Sequence, residues 1–293
     1  MERELFGGVK AAINRLGFYR KRPAQTHSDG AVLAVYFWAV LNDRPVCWAC
    51  DRANWPTGRW RGRLPTQSCM SRRMNGERFR DQLRRVERAA RPEPGPVTLA
   101  ACLDAKPLTV AWHSADPHAG TGRGAGGLAR GYKLHAITDA GGRLLAWRLA
   151  SLNADERTMA PRLLRDLAGV CYVVADAGYN ANHVFHAASA RGARLVSPRK
   201  RSHEGGGLGR RVHHADRLRS IELLEDGRDA FAEALLNARG AIERFFANLT
   251  NFGGGLTCLP AWVRTYPRVF AWTAAKITLM HLRQRRKHHP QAA

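Results

Sequence analysis

The sequence predicts an α/β chain, a mixed β-sheet flanked by helices, with a small helical region in front of it. Three observations carry this. After a Pro/Gly-rich linker at residues 91–95 (RPEPG), short apolar runs alternate with helix-like stretches. Residues 132–137 (YKLHAI) and 143–149 (RLLAWRL) flank the turn-forming Asp139-Ala-Gly-Gly, which signals a hairpin. Ahead of the linker, residues 28–42 read as an apolar helix capped by Ser28 or Asp29, and Pro65-Thr66 opens a second helix over residues 64–80.

After the linker, residues 97–103 (VTLAACL) form a short apolar strand that ends at Asp104. The hairpin follows, then a helix from residue 156 to 167. Residues 170–175 (VCYVVA) read as a buried strand ending at Asp176, residues 182–191 as a helix, and 194–197 as a strand closed by Pro198. One long helix is expected over residues 229–249. These elements divide the chain into a helical region at 1–91, a sheet domain at 96–286 and a basic tail at 287–293.

Composition narrows the partners. Of 293 residues, 47 are Lys or Arg against 24 Asp or Glu, a formal net charge of +23, while 45% are hydrophobic. A core is affordable, so wholesale disorder is excluded. Such an excess of positive charge repels itself unless a polyanion neutralises it, and nucleic acid is the polyanion that fits. No apolar run reaches the ~18 residues of a membrane span, and residues 1–10 carry charges in place of a signal-peptide core. Cys47 and Cys50 form a lone CxxC with no second pair at zinc-site spacing, so the cysteines read as reduced thiols. A cytoplasmic setting fits these features.

Several segments carry both a plain and a functional reading. The second helix exposes Ser71, Arg72 and Arg73, as a helix-turn-helix contact with DNA would, or as a solvated Arg-rich helix would. The glycine-rich stretches 120–127 and 204–209 read as loops; the first follows no clear strand and opens no helix, against a dinucleotide fingerprint. Lys133 and His135 share a strand face, Lys133 as a phosphate contact and His135 as a structural histidine. Arg199, Lys200, Arg201, Arg210 and Arg211 could line a DNA channel. Asp116 belongs to an Asp-Pro turn, Asp139 to the hairpin, and Asn153 or Glu156 to a helix cap. Trp262 and Trp272 mark a C-terminal core helix.

The chemistry rests on carboxylates. Asp104 and Asp176 each follow a hydrophobic strand, and strand ends of an open sheet converge on a crevice. Two such carboxylates repel each other unless cations fill the gap, and Mg²⁺ accepts carboxylate oxygens while leaving room for phosphate and water. Glu243, at the edge of the apolar stripe formed by Leu235, Ile242, Phe246 and Leu249, offers a third acid. It could equally be a surface partner of Arg239, four residues earlier.

At these residues the chain resembles the DDE transposases of the IS4/IS5 type, which have an RNase H-like catalytic domain. LDAKPLTV is similar to that group's first-aspartate motif, ARGYKLHAITDAGGRLLAW to its Lys-Leu-His hairpin, VVADAGYNANHVF to its second-aspartate motif, and ARGAIERFFANLTNFGG to its glutamate helix. The positions where that group's best-known signature has Tyr and Lys are Leu236 and Thr250 here. The resemblance implies catalytic and metal-ligating roles for Asp104, Asp176 and Glu243, with two Mg²⁺ ions per site and Mn²⁺ as a substitute. It implies double-stranded DNA as substrate, both element ends and target, and self-association in the active complex of a bacterial insertion-sequence enzyme. Arg72, Arg73, Lys133, Arg199, Lys200 and Arg239 are the candidate DNA contacts. A nuclease that cuts without joining, and a decayed DNA-binding protein, are the alternatives.

Overall fold

The computed structural model describes residues 2–23, 25–93, 97–124, 126–199, 208, 210, 212–225, 229–251, 256 and 259–288. Lys200, Arg201, Arg211, nearly all of the segment 204–209 and most of the tail lie outside the described residues. The chain divides into two compact units: residues 1–93, 113–116 and 248–293 form one, and residues 94–112 and 117–247 form the other.

The first unit is helical. α1 (Glu2–Arg15) and α2 (Asp29–Leu41) come first, and Ser28 caps α2 by accepting a hydrogen bond from Ala31 N at 3.1 Å. A short α3 (Val46–Ala49) leads to α4 (Gln67–Met74), capped by Thr66, and α5 (Glu77–Ala90). The single helix expected over 64–80 is thus two, separated at Asn75 and Gly76, because Gly76 leaves the helical backbone to cap α5. α5 buries Phe79, Leu83, Val86 and Ala90, a stripe at helical spacing.

The second unit is built on a six-stranded sheet. β1 (Thr98–Val110) pairs antiparallel with β3 (Gly127–Asp139) and parallel with β5 (Val170–Ala175); β6 (Arg194–Val196) extends the parallel side. β2 (Gly120–Gly124) and β4 (Leu144–Ser151) pair with successive stretches of β3's other edge. This is the RNase H-like arrangement that the resemblance implied. One face of the sheet, through Ala101, Leu103, Ile137, Val173 and Leu195, packs on α6 (Glu156–Leu164) and α7 (Asn182–Ser189). The other, through Ala100, Val174 and Val196, packs on α8 (Ala215–Glu225) and α9 (Ala230–Ala238).

Other elements differ from expectation too. β2 occupies part of the expected glycine loop. Its glycines carry no apolar alternation, and they are needed: a Cβ at Gly120 would run into Ser151 Oγ and Asn153 Oδ1. β1 continues past Asp104, because β3 still pairs with it after β5 has ended. The helix expected over 229–249 is broken at Arg239 into α9 and α10 (Gly240–Asn251), where Gly240 lowers the cost of leaving the helix.

α11 (Tyr266–His288) closes the chain and groups with the N-terminal helices, not with the sheet as the expected 96–286 domain had it. The reason is its apolar content. Val269, Phe270, Trp272, Ala275 and Ile277 are buried, and the helix runs along α5. Trp262, just before α11, sets its ring edge-on to Trp272 at 6.5 Å. Asp116 does more than make a turn: it is buried and accepts from Tyr266 N at the start of α11.

Inside this helical unit Glu87 is 2% exposed. It accepts both Nε and Nη2 of Arg91 at 2.9 and 3.1 Å and lies 2.9 Å from His281 Nε2. Burial pushes its pKa up, but His281 and Arg91 outweigh that and hold it at about 2. A depressed carboxylate stabilises the fold above its unfolded value near 4.5, and that contribution fades as pH falls towards 2. Glu87→Gln should therefore cost about 3 kcal/mol in urea unfolding at pH 7. The gap from wild type should shrink measurably at pH 3; an equal gap at both pH values would refute the assignment.

Candidate active site

The sheet brings Asp104 and Asp176 side by side. In the parallel β1–β5 pairing, Leu103 is opposite Ala175, so the next residue on each strand is an aspartate on the same face of the sheet. β5 stops there. Asp176 caps a single 3-10 turn, Ala177–Tyr179, its Oδ1 accepting from Gly178 N at 2.8 Å. Ser197 Oγ donates to the Asp176 backbone oxygen at 2.6 Å and ties the start of this turn to the end of β6. Asp104 Oδ1 accepts from Ala105 N at 2.7 Å. Both aspartates are half-buried.

Burial raises the pKa of Asp104 to about 6, and the charges of Asp176 and Glu156 push the same way against the backbone hydrogen bond of Ala105 and the charge of Arg239. The acid felt beside the aspartate pair is therefore Glu156, the first residue of α6. Its neighbour Asp155 is the true cap, accepting from Arg157 N at 2.8 Å, which frees Glu156 from the capping role expected for it. Lys133 Nζ holds Glu156 Oε1 at 3.0 Å. A Cβ placed on Gly178 would lie 2.9 Å from Asp176 Oδ1 and 3.2 Å from Glu156 Oε2, so these two oxygens face the same small space.

Tyr179 was not singled out from the sequence. Its side chain is fully buried and its hydroxyl has no hydrogen-bond partner among the described residues. Burial raises its pKa, and the charges of Glu156, Asp104 and Asp176 raise it further. An orphaned buried hydroxyl costs about 1–3 kcal/mol, which asks for an explanation. The only sequence signal was its place in Asp-Ala-Gly-Tyr, directly after the second aspartate.

The other candidates are distributed as follows. Glu243 is exposed on α10, and its side chain makes no ion pair with Arg239 or any other described residue. Arg239 sits at the α9–α10 break with its Nε buried and unbonded among the described residues, its charge reaching Asp104. Lys133 and His135 share a face, as expected, but it is the face opposite Asp104 in the β1–β3 register. His135 is fully buried with neither ring nitrogen bonded among the described residues, so it is structural without being satisfied there. Burial first, then Lys133, lowers its pKa to about 4 and keeps it neutral.

In the helical unit, Arg72 is exposed, whereas Arg73 donates to the His27 carbonyl and to Asp29. Arg78 and Arg22 also bind Asp29, Arg78 Nη2 at 2.7 Å. Arg199 is held by Glu225 through two hydrogen bonds of 3.0 and 2.7 Å.

The donor set suits a hard divalent cation: carboxylate oxygens at a strand end, with phosphate and water free to complete the shell. As they stand, no three His, Cys, Asp or Glu side chains among the described residues form a ready cage.

The family of the transposase DDE domain matches residues 95–275. Among solved structures, the chain is similar to a piggyBac transposase in a cryo-EM synaptic complex with hairpin DNA. The TM-score is 0.51 at 8% identity, over 99% of this chain and 74% of that one. That likeness is one of fold. No curated protein sequence matches.

The raised pKa of Asp104 has a consequence for stability. A carboxylate whose folded pKa lies above its unfolded value of 3.8 destabilises the fold as pH rises through about 4 to 6, and fully above that. With divalent ions chelated, Asp104→Asn should raise stability by about 2–3 kcal/mol at pH 7.5 and leave it nearly unchanged at pH 4. Thermal melts in EDTA at the two pH values test this; a destabilised variant at pH 7.5 would show that the acid is not strained there.

Proposed function

Because this chain belongs to the transposase DDE-domain family, we propose that it is the transposase of a bacterial insertion sequence, cutting and joining DNA by metal-dependent in-line phosphoryl transfer. The observation that carries this is the β1–β5 register that sets Asp104 beside Asp176 on a chain of net charge +23. Asp104, Asp176 and Glu243 would hold the Mg²⁺ pair, for which Mn²⁺ can substitute. Glu243 enters on its motif, with its side chain exposed and unpaired on α10. When bound, the ions neutralise charge on the transferring phosphate and activate water or a DNA 3′-OH.

The protein's own contribution is placement. The 3-10 turn after β5 fixes Asp176 through Gly178 N, and β3 holds β1 straight beyond it so that Asp104 stays opposite. Arg239 sets a positive charge beside the acids, where a scissile phosphate would need one. Lys133 is committed to Glu156 and Arg199 to Glu225, so phosphate contact by either requires that pair to open. Arg72 is free to meet phosphate. Lys200, by its place in a basic run, is proposed as a further contact. Element ends and target DNA would both be bound, within a self-associated complex in the cytoplasm.

Two measurements test this. Asp104→Asn and Asp176→Asn should each abolish cleavage and strand transfer of end-labelled element DNA while duplex affinity stays within about threefold, since carboxylates hold ions and Lys and Arg hold phosphates. Retained cleavage in either variant would sink the assignment. For the unaltered protein, log K for duplex DNA should fall against log salt with a slope of about −0.9 per phosphate neutralised. A nearly flat dependence between low and physiological salt would contradict DNA as the partner of this charge.

A further inference from the structure

We propose that Glu156 and Tyr179 complete the acidic site: Glu156 is an additional carboxylate for the divalent ion that Asp104 and Asp176 draw in, and the Tyr179 hydroxyl donates to that ion's oxygen shell. The inference rests on the metal-dependent reading above and names residues that the three-acid motif does not include.

Three observations support it. Glu156 uses only Oε1 on Lys133; its Oε2 makes no hydrogen bond among the described residues and faces the gap beside Gly178, across from Asp176 Oδ1. That gap exists because residue 178 has no side chain; any Cβ there would lie 2.9 Å from one carboxylate oxygen and 3.2 Å from the other. Tyr179, one residue on, buries its whole side chain and leaves its hydroxyl unbonded among the described residues, within electrostatic reach of Glu156, Asp104 and Asp176.

A plain salt bridge between Lys133 and Glu156 accounts for Oε1 alone. It leaves Oε2 to solvent and the phenol without a hydrogen-bond partner among the described residues. A cation between the carboxylates accounts for both. It gives Oε2 a partner, and its oxygen shell gives the phenol an acceptor. Lys133 then acts as a positioning residue: its hydrogen bond fixes the rotamer of Glu156 and leaves the second oxygen for the ion.

The test is Mn²⁺ binding to the full-length chain without DNA, read by loss of the free-ion electron paramagnetic resonance signal. Unaltered protein should bind and Asp104→Asn should not. Glu156→Gln and Tyr179→Phe should each weaken binding about tenfold or more. Both substitutions keep size and packing, so in EDTA Glu156→Gln should melt close to the unaltered protein and Tyr179→Phe at or above it, since it removes an unbonded buried hydroxyl, whereas a merely structural role would lower both melting temperatures. If Glu156→Gln and Tyr179→Phe bind Mn²⁺ as tightly as the unaltered protein while Asp104→Asn does not, this inference falls and the aspartate pair stands. If the unaltered protein binds no Mn²⁺, the metal-dependent reading falls and this inference with it.

Discussion

The parallel pairing of β1 with β5 is the constraint on which the site depends. Leu103 opposite Ala175 fixes Asp104 next to Asp176, and a slip of one residue would turn one aspartate to the other face of the sheet. Burial on both faces prevents that slip. Leu103 and Ala175 pack among α6 and α7, while Ala100 and Val174 pack among α8 and α9, so any shift would expose apolar atoms on two sides. The hydrophobic core thus sets the separation of two polar groups that it does not contain.

The cost of that placement is electrostatic. Asp104 and Asp176 share a half-buried crevice with Glu156, and Asp104 responds by holding its proton to about pH 6. Structure elsewhere offsets the strain with ordinary means: Lys133 on Glu156, Arg239 near Asp104, backbone N–H groups on both aspartates. Functional sites commonly concentrate unfavourable terms of this kind, because the ligand supplies the missing partner. The helical unit shows the opposite arrangement. There Glu87 and Asp29 are buried but fully paired, which makes them structural.

Much of this was legible in the sequence, for physical reasons. β5 reads directly because both its faces are buried and its run is continuously apolar. The hairpin reads through Asp139 and Gly142, whose turn is closed by Gly142 N on the Asp139 carbonyl at 2.9 Å. What failed to read depended on tertiary partners. β2 is glycine where the neighbouring strand crowds it, so it carries no pattern. The far half of β1 includes Asp104, Lys106 and Pro107, and only β3 keeps it extended. α8 lies in a stretch whose charges concealed Ile221 and Leu224. Asn153 or Glu156 reads as the helix cap where the structure uses Asp155, because Asp155 and Glu156 are both acids at the helix start and sequence alone does not distinguish which turns inward. Tyr179 is core by burial, and only its hydroxyl, which no sequence pattern marks, distinguishes it.

The central claim is that the crevice at the end of β5 is where a divalent ion meets DNA. Crystals of the full chain bound to a blunt element end and grown with Mn²⁺ would test it through an anomalous difference map. The account predicts a peak coordinated by the carboxylates of Asp104 and Asp176 with a DNA phosphate oxygen in the same shell. A map in which bound Mn²⁺ is held elsewhere, with neither aspartate in its coordination, would contradict it.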